Sequence, residues 1–181
     1  GDGAFYGPKI DFHLTDCLGR TWQCGTIQLD FQMPQNFELE YVAEDGSKKR
    51  PIMIHRVVYG SIERFIGIIT EHFAGKFPVW LAPTQVKVLP VSDKSMDYAQ
   101  KVYAALRGAK VRAELDDRNE KIGYKIRYAR QVDRVPYMLI IGEKEVQDGT
   151  ISVRDRETDQ TTVMTMDEFL AKIGKEISER V

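Results

Sequence analysis

Residues 86–108, VKVLPVSDKSMDYAQKVYAALRG, join a short apolar segment to an amphipathic one. The run from Val86 to Val91 is apolar enough for a buried strand. Ser95 then suits a helix N-cap, and Gly108 suits the end of that helix. Between these two residues the apolar side chains recur at helical spacing on one stripe: Met96, Ala99, Val102, Tyr103 and Leu106. The stretch therefore predicts one strand-helix unit of an α/β domain.

The same alternation continues after Gly108. The predicted elements are, in order, a strand at Val111–Leu115, a helix at about Glu120–Gln131, a strand at Tyr137–Ile141, a hairpin at Thr150–Val153 and Thr161–Met164, and a last helix that opens with the capping box Thr165-Met166-Asp167-Glu168. The order βαβαββα predicts a three-layer α/β domain with a mixed five-stranded sheet over residues 81–181.

Before residue 81 the pattern changes. Two prolines in Phe77-Pro78-Val79-Trp80-Leu81-Ala82-Pro83 disfavour a helix, and we predict the domain boundary between residues 80 and 81. Residues 1–80 predict an antiparallel sheet. Its elements are a hairpin of Ile10–Leu14 with Thr21–Phe31, a second strand pair around the turn Glu44-Asp45-Gly46-Ser47, and a largely buried helix with Ile62, Phe65, Ile66, Ile69 and Phe73.

Length, charge and cysteine content restrict the function classes. The 181 residues include 26 Lys and Arg and 27 Asp and Glu, a net charge of −1 that excludes a bulk basic nucleic-acid binder. No apolar run approaches the ~18 residues of a membrane span, and the first residues do not resemble a signal peptide. Cys17 and Cys24 cannot form a disulfide framework. We predict a cytoplasmic chain with no membrane partner.

Two parts of the first half could bind a small molecule. Arg64 lies one turn into an apolar helix that opens at Gly60 and Ser61, where free backbone N–H groups suit an anion. A carboxylate partner or a surface position would explain Arg64 equally well. In the segment Trp22–Phe31, Thr26 and Gln28 share a strand face, and a bulge at Gly25 would add Gln23 to it; a solvent-facing strand is the alternative.

Two further features remain ambiguous from the residues alone. His55 lies in an apolar strand, where a lone histidine is more often a core residue than a zinc ligand. In the second half, Lys121, Lys125 and Tyr128 recur at i, i+4 and i+7 and predict a basic and aromatic ridge within residues 118–134. Such a ridge suits a single-stranded nucleic-acid loop, or is a solvated helix face.

With these segments in view, the whole chain resembles the C-terminal part of threonyl-tRNA synthetases, which are class II aminoacyl-tRNA synthetases. The segments that carry the resemblance are Gly3-Ala4-Phe5-Tyr6-Gly7-Pro8-Lys9-Ile10, Trp22–Phe31, the motif 3 segment Met53-Ile54-His55-Arg56 with Gly60-Ser61-Ile62-Glu63-Arg64-Phe65, and Asp117-Arg118-Asn119-Glu120-Lys121-Ile122-Gly123. The resemblance implies an α+β chain, with a partial class II catalytic domain that holds the antiparallel sheet and the motif 3 helix at residues 1–80, and a three-layer anticodon-binding domain at residues 81–181.

The resemblance also implies roles for individual residues. Arg64 and Gln23 are expected to bind ATP as catalytic residues, with Ser61 beside them. The residues expected at threonine and the tRNA 3′ end are Tyr6, Lys9, Thr26 and Gln28. His55 is expected to be one of three zinc ligands, and Mg²⁺ to accompany ATP. The residues expected to recognise the anticodon are Asn119, Lys121, Arg127, Glu145 and Arg154.

The implied activity is that of a threonine–tRNA ligase, with ATP, threonine and tRNA(Thr) as partners and a homodimer as the assembly. The resemblance places motif 1, the motif 2 loop, two zinc ligands and the editing domain before Gly1, so this chain alone is expected to be inactive. A non-catalytic tRNA- or protein-binding module is the alternative. His55 argues against a synthetase for proline, glycine or histidine.

Overall fold

The computed structural model describes residues 3–181, which form two compact units that divide between His72 and Phe73. The boundary predicted at residues 80 and 81 lies inside the second unit. Hydrogen bonds hold the proline-containing connector to the second unit. Gln85 Nε2 donates to the Val79 carbonyl at 2.8 Å, and Arg112 donates to the carbonyls of Trp80 and Ala82. No helix among residues 3–181 is long and apolar enough to cross a membrane.

The elements of the first unit are β1 (Lys9–Thr15), β2 (Thr21–Asp30), α1 (Met33–Asn36), β3 (Tyr41–Val42), β4 (Lys48–Lys49), β5 (Met53–Val57) and α2 (Ile62–His72). The unit is built on an antiparallel sheet with the strand order β1-β2-β5. The predicted hairpin is confirmed as β1 and β2. Around the second predicted turn only the two-residue strands β3 and β4 pair, and β5 instead pairs with β2.

The helix α2 differs from its prediction. None of its residues is buried, and Ile62 and Ile66 are 64% and 52% exposed. The expectation of a largely buried helix was therefore wrong for the described residues. The apolar stripe that predicted burial is present but only partly covered, because Phe65 and Ile69 are half-buried whereas Ile62 and Ile66 are exposed.

The elements of the second unit are β6 (Val86–Pro90), α3 (Met96–Gly108), β7 (Ala113–Leu115), α4 (Ile122–Gln131), β8 (Tyr137–Ile141), α5 (Glu143–Asp148), β9 (Ile151–Asp155), β10 (Thr161–Met164) and α6 (Met166–Glu179). The strands form the predicted mixed five-stranded sheet, in the order β10-β9-β8-β6-β7. The strand β6 is parallel to both β7 and β8, whereas β9 is antiparallel to β8 and to β10.

Alternating residues of β6 divide the core of this unit between the two faces of the sheet. Val86 and Val88 belong to a buried cluster with α3 and α6, whereas Leu89 packs with α4. This is the predicted three-layer arrangement. The predicted capping box is confirmed too, since Thr165 Oγ1 accepts from the Glu168 amide. Ser95 does not cap α3 through its side chain, because it ends a 3₁₀ turn that Ser92 opens.

Candidate functional site

The polar side chains of the first unit lie on one face of its sheet. Across the three strands, Lys9 is opposite Gln28, and Gln28 is opposite His55. Two residues further along β1, Asp11 is opposite Thr26. Because side chains two residues apart on a strand share a face, these two rows are adjacent. A cleft of about 350 Å³ opens over this face, lined by Thr26, Gln28, His55, Arg56 and Val57.

A β-bulge adds Gln23 to the same face. In the register of β1 with β2, Phe12 is opposite Gly25 and His13 is opposite Gln23, so Cys24 is the extra residue. The bulge was predicted at Gly25, one residue away. Its expected effect is present, because Gln23 Nε2 donates to Thr26 Oγ1 at 3.1 Å. The two residues would lie on opposite faces of a regular strand.

Tyr6 reaches this face through a close backbone approach. A Cβ on Gly7 would lie 2.2 Å from the Leu29 carbonyl oxygen, so only glycine allows the segment before β1 to lie against β2. Backbone hydrogen bonds from Leu29 to Pro8 and from Phe31 to Tyr6 fix that position. The Tyr6 hydroxyl then donates to Gln28 Oε1 at 3.0 Å.

Asp11 is a residue of this site that sequence reasoning missed. Its Oδ1 accepts from Gln23 Nε2 at 2.7 Å and from Thr26 Oγ1 at 2.8 Å, and its Oδ2 pairs with Lys9 Nζ at 2.9 Å. The Lys9 and Thr26 hydrogen bonds lower the pKa of this carboxyl despite partial desolvation. The alternation of polar and apolar residues in β1 places Asp11 on the polar face. The bulge that brings Gln23 to Asp11 lies in β2, so the sequence of β1 does not indicate this contact.

His55 is oriented by a buried carboxylate. Its Nε2 lies 2.9 Å from Asp30 Oδ2, and Asp30 is 1% exposed. Burial raises the pKa of Asp30, but hydrogen bonds from the Met33 and Gln32 amides and from His55 outweigh that effect and lower it. A carboxylate on one imidazole nitrogen is the usual arrangement of a metal-ligating histidine, whose other nitrogen binds the metal.

The described part of the chain does not form the rest of a zinc site around His55. Among residues 3–181, no group of three His, Cys, Asp or Glu side chains could hold a metal ion. The donor chemistry of His55 therefore fits one ligand position and does not make a site by itself. Zinc needs three or four ligands.

The start of α2 is packed beside the bulge of β2. Gly60 has a left-handed φ of 66°, and a Cβ there would lie 3.0 Å from the Cys24 carbonyl oxygen. Ser61 Oγ donates to Glu63 and is 3.4 Å from the Arg64 amide nitrogen, as in a helix cap. The Arg64 side chain is exposed, with its guanidinium carbon 6.0 Å from the Trp22 ring centroid. Arg64 is thus accessible to an anion and not trapped in a core.

In the second unit, the candidate nucleic-acid residues lie partly at the carboxyl ends of the parallel strands, where α/β sheets commonly bind ligands. A small cleft of about 70 Å³ there is lined by residues that follow β6 and β7, such as Asp93 and Asn119, and by Lys125 of α4. Arg118 lines it too, and its guanidinium lies 4.4 Å from the Tyr128 ring centroid and pairs with the buried Asp116.

The predicted basic ridge is only partly present. Lys121 is exposed at the start of α4, but Lys125 is 4% exposed and its Nζ donates to the carbonyls of Asp116 and Pro90. Lys125 was therefore placed wrongly on the surface. The helical period places Lys125 on the same face as Lys121, but it carries no information about the strand ends that pack over Lys125. Arg118, outside that period, stacks on Tyr128 instead.

Of the five predicted anticodon residues, Asn119 lines the small cleft, and the other four do not. Arg127 is exposed on α4 in a separate cleft of about 460 Å³ with Tyr124 and Tyr128. Glu145 accepts hydrogen bonds from the Gly142 amide and the Ser152 hydroxyl, which, against the effect of burial, lower its pKa. Arg154 is paired with Asp159. The structure thus distributes these residues over the loop before α4, α4 itself, α5 and β9, and Arg154 lies opposite Met138, toward the amino end of β8.

Comparisons with known proteins agree with this architecture. Residues 85–176 match the family described as anticodon binding domain, and residues 1–73 match the tRNA synthetase class II core domain (G, H, P, S and T). A threonine–tRNA ligase of Caldanaerobacter subterraneus subsp. tengcongensis is 64% identical over 180 residues, and one of Clostridioides difficile is 66% identical over 180 residues. The chain belongs to the threonyl-tRNA synthetase family.

Within this family the chain corresponds to one region. Each of these two matches covers 99% of this chain, but the chain spans only 28% of the length of each ligase. The crystal structure of the RNA binding domain of threonyl-tRNA synthetase from Cryptosporidium parvum matches with a TM-score of 0.88 and 43% identity. That match covers 97% of this chain and 44% of the other. The predicted resemblance and fold class are therefore confirmed.

Proposed function

We propose that this chain supplies motif 3 of the catalytic domain and the anticodon-binding domain to a threonine–tRNA ligase. The observation that carries the proposal is the cleft in which His55, Thr26 and Gln28 meet on one sheet face. It combines amide and hydroxyl groups with an oriented imidazole, a set suited to a small polar amino acid. The family membership of both halves supports the same activity.

The proposed reaction has two steps. The carboxylate of threonine attacks the α-phosphate of ATP to form threonyl-adenylate and pyrophosphate, and the tRNA 3′-terminal hydroxyl then takes the acyl group. The exposed Arg64 guanidinium would neutralise phosphate charge at the start of α2, beside the Ser61 cap, and Gln23 would bind the nucleotide. These residues act by positioning and charge neutralisation rather than by covalent catalysis. Mg²⁺ would accompany ATP.

In the amino-acid pocket, Tyr6, Thr26 and Gln28 would orient threonine, with Lys9 close by. His55 would be one of three zinc ligands, oriented by Asp30, and the other two would come from outside this chain. A zinc ion there would demand a hydroxyl ligand, and so would favour threonine over valine, which a hydrophobic pocket separates poorly.

The second unit would recognise the anticodon of tRNA(Thr). Anticodon bases are unpaired, so they can stack on rings and hydrogen-bond to amides and guanidinium groups. Asn119 and Lys121 lie on the loop before α4, next to the Arg118–Tyr128 stack, and Arg127 continues along the helix. Glu145 and Arg154 would complete the contacts. A local basic surface of this kind needs no net basic charge, in agreement with the net charge of −1.

We further propose a cytoplasmic homodimer as the assembly of the complete enzyme. The test is ATP–pyrophosphate exchange by a full-length synthetase that carries this sequence, measured with threonine, valine and proline separately. We expect exchange with threonine and little with valine or proline. The 181-residue chain alone should give none. Exchange with proline and not threonine, or RNA binding with no exchange at all, would reject the ligase in favour of a sister synthetase or a binding module.

A further inference from the structure

Asp11 connects three polar side chains on the sheet face that contains the cleft, although neither the motifs nor the family resemblance assigns it a role. It contacts Lys9, Gln23 and Thr26, three residues expected to bind substrates, through a single carboxylate. Its side chain is 19% exposed, so it lies beneath these groups and not in front of them. A residue in this position can act on a substrate through its neighbours.

The carboxylate determines which atoms of Gln23 face outward. A primary amide has a donor end and an acceptor end, whereas an ionised carboxylate only accepts. Gln23 must therefore direct Nε2 toward Asp11 Oδ1, at 2.7 Å, and toward Thr26 Oγ1, at 3.1 Å. The Gln23 Oε1 atom is left to face away from Asp11. The amide orientation thus depends on the charge state and chemistry of residue 11.

The same carboxylate fixes the hydroxyl of Thr26. That hydroxyl has one hydrogen, which it donates to Asp11 Oδ1 at 2.8 Å, so toward the cleft it can only accept. Gln28 has the opposite polarity, because its Oε1 accepts from Tyr6 and its amide nitrogen remains as a donor. The polar face of the sheet therefore has an acceptor end at Gln23 and Thr26 and a donor end at Gln28, and Thr26 and Gln28 line its cleft.

We propose that Asp11 is a positioning residue that holds Gln23 and Thr26 as hydrogen-bond acceptors for an N–H group of a bound substrate. The inference rests on the proposed function, in which two substrates have such a group: the exocyclic amine of the adenine base in ATP and the ammonium of threonine. The shared chemistry is an N–H donor that meets a preoriented amide oxygen. Lys9, drawn to Asp11 Oδ2, balances the charge.

The experiment measures KM and kcat of a full-length synthetase that carries this sequence, with ATP and threonine varied in turn. In Asp11→Asn, residue 11 can donate to Gln23, which allows the Gln23 amide to turn its nitrogen outward. We expect the KM of one of the two substrates to rise about tenfold, the size of one lost hydrogen bond, with kcat within about twofold of the parent. A rise for ATP assigns the base, and a rise for threonine assigns the ammonium.

A rescue variant separates positioning from a merely structural role. In Asp11→Asn with Gln23→Glu, the new amide of residue 11 donates to the new carboxylate, which again presents an oxygen outward. We expect this double variant to recover most of the lost affinity. Asp45→Asn is the matched control, since Asp45 also accepts from a hydroxyl and a lysine, in the β3–β4 turn outside the cleft. Its constants should match those of the parent.

Gln23→Leu keeps the test decisive if Asp11→Asn does not fold, which thermal unfolding would show. Removing the amide oxygen must raise the same KM by a similar factor. The proposal is overturned if Gln23→Leu leaves both KM values unchanged, or if a folded Asp11→Asn does so, or if the double variant recovers nothing. A parent enzyme without threonine-dependent exchange would instead reject the proposed ligase function.

Discussion

Lys125→Met tests how the second unit supports its candidate RNA-binding loop. The Lys125 ammonium is 4% exposed and donates to the Asp116 carbonyl at 2.9 Å and the Pro90 carbonyl at 3.3 Å. These carbonyls end neighbouring strands, and the loop that contains Asn119 begins directly after Asp116. Lys125 therefore connects two strand ends below the loop. Methionine has a similar length but donates no hydrogen bond.

The expected loss of stability follows from those two contacts. Each buried acceptor left without a donor costs about 1–3 kcal/mol, or about 2–6 kcal/mol for the two carbonyls. Part of this is offset, because methionine removes the cost of burying an ammonium group. We expect a net loss of about 2–4 kcal/mol in the free energy of unfolding, and a fall in Tm of at least about 8 °C for a domain of this size.

The assay is urea unfolding of residues 73–181, followed by circular dichroism, because this unit has its own hydrophobic core. Lys121→Met is the matched control. It is the same substitution one helical turn earlier at an exposed position, so it should change stability by less than about 0.5 kcal/mol. With an RNA stem-loop of the tRNA(Thr) anticodon, Lys121→Met should reduce the slope of log affinity against log salt by about 0.7, the effect of one lost phosphate contact.

The two variants should therefore separate stability from RNA binding. The reasoning is refuted if Lys125→Met unfolds at the same urea concentration as Lys121→Met, because Lys125 would then not be the buried donor that the structure shows. The reasoning is also refuted if Lys121→Met, and not Lys125→Met, lowers the free energy of unfolding.

Three further outcomes are expected. Asp30→Asn in a full-length synthetase should weaken zinc binding about 10- to 100-fold in a chelator competition, since it disturbs the orientation of His55, and unchanged zinc affinity would contradict this role. Gly7→Ala would put a Cβ 2.2 Å from the Leu29 carbonyl oxygen, so it should lower the Tm of the 181-residue chain, and an unchanged Tm would show that the close approach is absent. The Arg118 hydrogen bond lowers the pKa of Asp116 below 3.8, so its stabilisation should be present above pH ~4 and lost on further acidification. In residues 73–181, the Asp116→Asn variant should therefore unfold at a lower urea concentration than the parent near neutral pH. At acid pH, where Asp116 is protonated, the two should unfold at nearly the same urea concentration.

Much of the second unit was predictable because its elements have strong local signals. The run at Val86–Pro90 and the Thr165 capping box need no tertiary information, and both were located correctly. The short helix α5 was missed, because six residues with little apolar content have no period to recognise. The boundary predicted between residues 80 and 81 falls inside the second unit, which begins at Phe73, because side chains of Gln85 and Arg112 bind the connector there.

For the candidate site, the sequence predicted which kinds of side chain would bind a ligand but not which residues they would contact. Glutamines in β2 indicated polar recognition, and the bulge near Gly25 was predicted one residue away from Cys24. The partners Asp11 and Asp30 were not found, because each bond crosses from one strand to another and depends on register. For α2 the apolar period was read correctly, but burial depends on which elements cover the helix.

The sequence by itself determined the β1–β2 hairpin, the main strands and helices of the second unit, the layered fold class and the family, because hydrophobic period, caps and motif spacing are local properties of the chain. Tertiary structure alone decided that a bulge brings Gln23 to Asp11, that Asp30 orients His55, and that Lys125 is buried below the loop that contains Asn119. These are cross-strand and strand-end contacts between groups far apart in the chain. Their formation depends on register and packing, which no single segment specifies.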